Sequence, residues 1–481
     1  MVHSRSSLCP MLLPPRVLAR VAQSDVTVEA PKRGGREAAI RSTLVPAGTS
    51  FARIRPDPAA AGTAGMPVYP RCRTLMKLLL LLAACLGPAL PAAQVSPRYN
   101  ELARKGTWPY RLEIPDISRR EFTFPDAGGF RVIKGEFHIH TLYSDGQVTP
   151  ETRVIEAWRD GLDVLAITDH AEYIDFVLPE HDARSFGRAE PTARRLGLTL
   201  VRGAEVSTIG QVRRPPVDSD FIVNFLKDEQ ALSVPFPDAM RAAREQGALN
   251  TWAHPGAYGG GDVLADEVRA FLDSGWLHGI EIYNTQVAMG RQDRGQRQVR
   301  GVWMWPQVLD WCLQYNLNVF AVSDAHWPVD LSVDARQGLH RPMTLLLARS
   351  SSPADVREAL EQRRTIACFH GMLWGPRDPV EAVIRAALKV ERPASDPLVR
   401  PNDAISLRNL SSLPLTMTLA DEEDRFLWPA GEIMVPAHST LQVPFKRPAH
   451  SPGDAPVALR LTVTSAFVTS KDNLVLHYKL P

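Results

Sequence analysis

Short apolar runs of strand length recur through the middle of this chain, separated by helix-like stretches. This alternation limits the fold more than any other feature of the sequence. The runs are Val164–Ile167, Leu198–Val201, Phe221–Leu226, Ala248–Trp252, Gly279–Tyr283, Val319–Val322 and Met343–Leu347. Thr149-Pro150-Glu151 opens one helix, with Thr149 as N-cap and Pro150 at the first helical position. That helix places Val154, Ile155, Ala157 and Trp158 on an apolar face and stops at Gly161. Asp238–Gln246, Asp262–Asp273, Pro306–Tyr315 and Ser352–Gln362 read similarly. Strand–helix alternation of this length predicts a parallel α/β fold, either a barrel or a doubly wound sheet. After Pro393 the texture changes. Ala404–Leu410, Leu415–Leu419, Thr440–Phe445, Val457–Val463 and Leu474–Leu480 alternate polar and apolar residues between Pro/Asp/Ser turns. They predict a small all-β sandwich serving as a packing or docking module.

The ends of the predicted strands carry the chemistry. His138-Ile139-His140 closes a strand-like run, and residues two apart in a strand face the same way, so both imidazoles can reach one ion. Asp145 follows in Ser144-Asp145-Gly146. Later runs end in Thr168-Asp169-His170, Gly203-Ala204-Glu205, Ala253-His254-Pro255 and Ser323-Asp324-Ala325-His326. In a βα-barrel such ends converge on one face, where active sites are built. Imidazole and carboxylate without thiolate suit zinc, manganese or iron. Eight such groups exceed one tetrahedral ion, so two or three divalent ions are expected, with Glu205 as a bridging carboxylate. Clustered divalent ions suit phosphoryl chemistry. His181, His278, His340 and His370 read as surface or satisfied core histidines.

These residues carry a family resemblance. His138-Ile-His-Thr-Leu-Tyr-Ser-Asp-Gly146, Thr149-Pro150 and Gly161-Leu-Asp-Val-Leu-Ala-Ile-Thr-Asp-His170 resemble the opening motifs of the PHP (polymerase and histidinol phosphatase) superfamily. Gly203-Ala-Glu205, His254-Pro255 and Ser323-Asp-Ala-His326 resemble its later motifs in order. The resemblance covers roughly 136–370. It implies a distorted (β/α)7 TIM-like barrel and a metal-dependent phosphoesterase. It further implies one ion on His138, His140, Glu205 and Asp324, a second on Glu205 and His254, and a third on Asp145, His170 and His326. An exported branch of phosphodiesterases is most similar, through Gly135–His140, Glu156–Gly161, Asn250–Gly256, Leu277–Asn284 and the β-rich C-terminus. One departure stands out. Asp220 occupies the position where the family usually places a further His. It reads either as a carboxylate ligand favouring manganese or iron, or as a turn residue.

The expected mechanism is in-line attack on phosphorus by a metal-activated hydroxide. His326 and Asp324 are the candidates for catalytic proton transfer. Arg213 and Arg214 read as phosphate contacts or as a solvated loop, and Tyr258 and Tyr283 as pocket-lining residues, together with Tyr173 and Glu281. Two rival classes stand beside this one. The first is an amide or C–N hydrolase of a related barrel, which often uses a carboxylated Lys; no Lys ends a strand here. The second is a non-catalytic metal-binding module.

A chain that is 44% hydrophobic is neither wholly disordered nor fibrous, and five Cys in 481 residues make no disulfide scaffold. A net charge of +2 gives no reason to expect a nucleic-acid partner. Residues 1–75 hold 11 Lys/Arg against four acids and no lasting apolar periodicity. They read as a basic disordered or transit segment, or as an extension upstream of a true start at Met76. From Met76 a charged residue, an apolar run and small residues to Ala93 form a secretory signal. Cleavage near Ala93 and lipidation at Cys85, within a lipobox-like Leu-Ala-Ala-Cys, both fit. The expected organisation is 76–93 signal, 94–134 approach segment, 135–392 phosphoesterase domain and 393–481 β domain. The expected location is the periplasm or cell envelope, the expected substrate a small phosphate ester, and the expected membrane contact only a lipid on Cys85. Without 1–93 the balance becomes 43 bases to 49 acids, or −6, so the exported protein is mildly acidic.

Overall fold

In the computed structural model the described residues are 118–171, 185–208, 219–255, 264, 266–285, 292–293, 296–297, 304–332, 340–392, 404–421, 428–446 and 456–481. The fold is a mixed α/β one. Its strands in chain order are β1 (Arg131–Glu136), β2 (Val164–Ile167), β3 (Thr199–Ser207), β4 (Asp220–Asn224), β5 (Leu249–Trp252), β6 (Gly279–Asn284), the short pair β7 (Gln292–Asp293) and β8 (Gln296–Arg297), and β9 (Asn318–Val322). Then come β10 (Met343–Ala348), β11 (Thr365–Phe369), β12 (Met372–Trp374) and β13 (Leu388–Glu391). The helices are α1 (Pro150–Arg159), α2 (Ser185–Leu196), α3 (Phe236–Glu245), α4 (Asp266–Asp273), α5 (Gln307–Tyr315), α6 (Val329–Ser332), α7 (Pro353–Glu361) and α8 (Arg377–Ala387).

Local chemistry explains the boundaries. Thr149 and Ser352 cap α1 and α7, each side chain accepting the N–H three residues on at 3.2 Å. α5 ends where Asn316 turns left-handed, at φ 53°. β2, β5 and β9 are buried at every position, and β2 and all of β9 after Asn318 read as continuous apolar runs, while β5 buries Asn250 and Thr251 as well.

The main sheet runs β11-β10-β1-β2-β3-β4-β5-β6-β9. It is not all parallel. β4 runs antiparallel to both β3 and β5, and β10 antiparallel to β1. β4 lies back along β3, with Ser207 opposite Asp220. The start of β4 therefore lies at the same end as the finish of β3. The sheet also curls back on itself, with β9 against β10 and β11. Thr344 Oγ1 on β10 bonds both the N–H and the carbonyl of Ala321 on β9, at 3.2 Å each. Thr365 Oγ1 on β11 accepts from Val319 N at 3.2 Å.

Beyond this lie β14 (Ala404–Asn409), β15 (Leu415–Asp421), β16 (Ile433–Val435), β17 (Thr440–Pro444), β18 (Val457–Phe467) and β19 (Asn473–Leu480). β13, β14 and β17 form one sheet. β18 pairs with β19 and β15, and its far end pairs in parallel with β12. There Trp374 stacks on Phe467 at 3.9 Å between ring centroids. One apolar cluster runs from Val154 and Leu165 through Ile384 to Leu461 and Leu476. The expected domain boundary at 393 falls in 393–403, outside the described residues. The signal segment, Cys85 and residues 1–117 also lie outside them. No helix among the described residues is long and apolar enough to cross a membrane.

α1 differs from its sequence reading. Val154 and Ala157 are buried as expected, but Arg153 and Glu156 are buried with them, while Ile155 and Trp158 are only half-buried.

Candidate metal centre

His138 and His140 leave the end of β1 with Ile139 between them. Ile139 bridges to Ala325, and its N–H bonds Thr168 Oγ1 at 3.0 Å. The segment after β9 is fastened alongside: Asp324 N–H donates to the His138 carbonyl at 2.9 Å. β3 contributes Glu205 and β4 contributes Asp220. His254 follows β5 with φ 25°, and Asp324 follows β9 with φ 50°. Left-handed backbone at non-glycine residues is uncommon, and these are two of the seven such positions among the described residues.

All nine sequence-predicted ligands meet. Four groups each bring ligand atoms within 4.8 Å of one another: His140, Asp145, His170 and His326; His138, His140 and Glu205; His138, His254 and Asp324; Glu205, Asp220 and His254. Glu205 Oε2 faces Nε2 of His138, His140 and His170 at 3.2, 3.0 and 3.4 Å, while Oε1 faces His254 Nε2 at 3.3 Å. Nε2 of His138 and His140 lie 3.1 Å apart. The buried Oδ1 of Asp324 sits 3.3 and 3.1 Å from these same two nitrogens without a hydrogen-bond partner. Ring nitrogens and carboxylate oxygens converging on shared points, with no thiolate, fit divalent cations. Asp220 pairs with Ser207 Oγ and lies 3.6 Å from His254 Nε2, which places it in the cluster rather than in a solvated turn.

The electrostatics describe a cluster balanced between opposite charges. Burial opposes charge on His140, yet the carboxylates of Asp324 and Glu205 raise its pKa to about 10. Against the same burial, Glu205 and Asp220 raise His254 to about 9. Glu205 is held well below the usual carboxylate range, because His170 and His138 outweigh its burial. Asp220 moves the other way, pushed up by burial and by the charge on Glu205. The carboxylates thus favour the protonated forms of His140 and His254, protons that a bound divalent ion would displace.

Neighbours fix the orientation of these groups. Glu281, on β6, accepts from His138 Nδ1 at 2.7 Å and from His254 N–H at 2.7 Å. Asn284 Nδ2 donates to Glu281 Oε2 at 3.0 Å and to Asp324 Oδ2 at 3.1 Å. Carboxylates and amides of this kind set the tautomer and angle of metal-binding histidines. Asp169 accepts from Thr141 N, Thr141 Oγ1 and Ser144 Oγ at 2.6, 2.7 and 2.8 Å, and so shapes the loop that carries Asp145. Asp169, Asn284 and Ser207 are absent from the sequence reading. Asp169 and Asn284 were nonetheless visible inside the quoted motifs.

Other expected contacts fall elsewhere. Arg213, Arg214, Tyr258, Tyr173 and His181 lie outside the described residues. Tyr283 is 3% exposed, its ring stacked on Phe369 at 4.4 Å and its hydroxyl 3.0 Å from His370 Nε2. It belongs to the apolar core rather than to the cluster of histidines and carboxylates. His278 Nδ1 accepts from Asn250 N–H at 3.1 Å, and His340 Nδ1 donates to the Arg341 carbonyl at 2.8 Å; both are satisfied structural histidines.

Comparison with known proteins agrees with this geometry. Residues 136–249 match the PHP domain family. A two-domain protein from Bacteroides vulgatus, containing a predicted PHP-like metal-dependent phosphoesterase, is 30% identical with a TM-score of 0.64, over 76% of this chain and 99% of that one. A 5'-3' exoribonuclease from Haemophilus influenzae is 29% identical over 139 residues, which is 28% of this chain and 46% of that protein. The chain thus spans less than half the length of that curated relative. With the ligand motifs in order, their side chains in one cluster and a two-domain relative matched along nearly its whole length, this chain belongs to the PHP superfamily of metal-dependent hydrolases.

Proposed function

We propose that the protein hydrolyses phosphate esters, phosphodiesters in preference to monoesters, with two or three divalent ions held by His138, His140, Asp145, His170, Glu205, Asp220, His254, Asp324 and His326. The observation that carries this reading is Glu205, whose two oxygens face different histidine groups as a bridging carboxylate would. Divalent ions held there supply Lewis acidity toward phosphate oxygens and let water act as a nucleophile near neutral pH. The chain's own residues orient and exchange protons. Asn284 holds Asp324 Oδ2, which leaves Oδ1 turned toward the histidines. The Nδ1–H of His326 donates to the Asp324 carbonyl at 2.9 Å, which directs Nε2 toward Asp145 at 3.1 Å. Asp145 is 42% exposed at the side chain and His326 15%, so this pair lies nearest the mouth. His326 could pass a proton from Nε2 to a departing alkoxide only while that nitrogen is not on an ion.

The relative named an exoribonuclease favours a diester, since RNA is one. Asp220 in place of an imidazole favours manganese or iron over zinc. We read the curled sheet as the distorted (β/α)7 barrel, residues 393–481 as a β sandwich, and 76–93 as an export signal that leaves the enzyme in the periplasm or lipid-anchored through Cys85. Arg213 and Arg214 remain the proposed phosphate contacts.

Metal analysis of the purified protein, with a panel of mono- and diesters, tests the reading. At least one tightly held ion per chain and metal-restored diester hydrolysis are expected, both lost in His138→Ala/His140→Ala. Less than one ion per chain with no metal-restored hydrolysis would defeat it. Activity on amides alone would promote the C–N hydrolase. N-terminal sequencing of the exported protein checks the signal, and peptides from residues 1–75 would overturn a start at Met76.

A further inference from the structure

We infer that Arg153 is a positioning residue that locks together the two strand ends carrying His140 and His326, and so sets the ion site they share with Asp145 and His170. The inference rests on the metal-site reading above.

Arg153 lies in the first turn of α1 and is fully buried. An arginine in that position is costly unless its donors are used. Here they are used on backbone. Nε donates to the His140 carbonyl at 2.8 Å, Nη2 to the Ala325 carbonyl at 2.7 Å and Nη1 to the Trp327 carbonyl at 2.8 Å. Nη1 also reaches Glu156 Oε2 at 2.8 Å, which pairs with its charge. Glu156 Oε1 in turn accepts from Val329 N–H at 2.9 Å. The three carbonyls belong to His140 itself and to the two residues flanking His326.

The clamp adds to the backbone bonds that join these segments: Asp324 N to the His138 carbonyl at 2.9 Å, Gln147 N to the His326 carbonyl at 2.7 Å and, at His140 itself, a long bond to the Ala325 carbonyl at 3.3 Å. The rings it must hold apart are close, with His140 and His326 stacked at 4.3 Å. A planar fork with donors in fixed directions can span three carbonyls on two segments; a lysine ammonium cannot reproduce that geometry. Arg153 has no hydrogen bond to the strands that carry Glu205, Asp220 and His254. Its effect should therefore fall on the ligand groups that contain His140 or His326 and spare the group of Glu205, Asp220 and His254.

The test uses the full chain with manganese, measuring ion stoichiometry and affinity by calorimetry alongside melting temperature and diester kinetics. Arg153→Met and Arg153→Lys are compared with Val154→Ala, which removes buried apolar volume one residue away on the same helix. Ions held through His140 or His326 should weaken by about 10- to 100-fold in both Arg153 variants, with an ion on Glu205, Asp220 and His254 within about threefold of wild type. Lysine should restore melting temperature without restoring that affinity, and kcat should fall more than KM rises. Val154→Ala should lower melting temperature and leave ion affinities unchanged. If Arg153→Met does not fold, Arg153→Lys carries the comparison. Unchanged affinity in the Arg153 variants, or equal weakening of every ion in step with Val154→Ala, would overturn the positioning role alone. A wild-type chain that binds no ion would overturn the metal-site reading beneath it.

Discussion

Two parts of this molecule are equally dry and opposite in chemistry. Around the ends of β1, β3, β5 and β9, the buried side chains include His138, His140, Glu205, Asp220, His254, Glu281 and Asp324, none more than 6% exposed. Beyond residue 404 the buried side chains are Leu, Val, Ile, Ala, Met and Phe, and the only buried polar ones among the described residues are Asn409, Ser411 and Ser465. Asn409 is fully engaged there: its amide donates to the Leu413 and Val435 carbonyls and its Oδ1 accepts from Ser411. Burying apolar surface stabilises outright, whereas burying ionisable groups costs stability unless each is answered by a partner. The β-rich end is built to hold together. The other region carries a costly arrangement of buried ionisable groups whose donor set suits divalent cations.

The comparison can be broken most sharply at Glu205. Glu205→Gln removes the carboxylate shared by four histidines, and a loss of about 10³-fold in kcat/KM is expected, with loss of bound ions seen by metal analysis. Far-UV circular dichroism should stay native. Retained ions and activity would show that Glu205 is no bridge. The mirror experiment is Leu461→Ala in β18, a fully buried residue opposite Leu419 and Leu476. It should cost about 2–5 kcal/mol in denaturant melts while the folded fraction keeps its ions. Loss of ions at unchanged stability would contradict the division of labour. Glu281→Gln comes next. It keeps the shape of the contacts to His138 and His254 but removes the charge, so ion affinity should fall about 10- to 100-fold with little change in melting temperature.

The smallest effect is a pH effect. Burial, with Arg363 and Arg357 nearby, depresses His278 to about 4. The fold therefore favours its neutral form. Its contribution is fully present above the unfolded value near 6.5 and is lost as pH falls from there through about 4. His278→Gln should remove roughly 1–2 kcal/mol of acid sensitivity in that window, read as a flatter melting temperature against pH. A variant as acid-sensitive as wild type would show that another group controls the slope.

The ligands were legible in sequence because strand ends concentrate them and because His138-Ile-His140 uses the period of a strand. Asp220 was legible only through its place in a motif order; the reason it arrives is that β4 runs backwards, which an apolar run cannot announce. The hairpin of β11 and β12 was missed for a similar reason: its turn is His370-Gly371, at φ 48° and 76°, and histidine is a poor turn signal. α2 carries Pro191 in its interior, which masks a helix from propensity reasoning. Arg153 was hidden by its charge. On an amphipathic helix an arginine reads as solvent-facing, and only coordinates reveal three carbonyls gathered beneath it.

The parallel pairing of β12 with the end of β18 has a consequence for the order of assembly. β12 is complete at residue 374, but its free edge waits for residues 466 and 467. Most of the sheet bearing the histidines will therefore have left the ribosome, with one edge unpaired, before the strand that finishes it exists. During that interval the edge of β12 presents unpaired backbone groups, the kind of edge on which another strand can add.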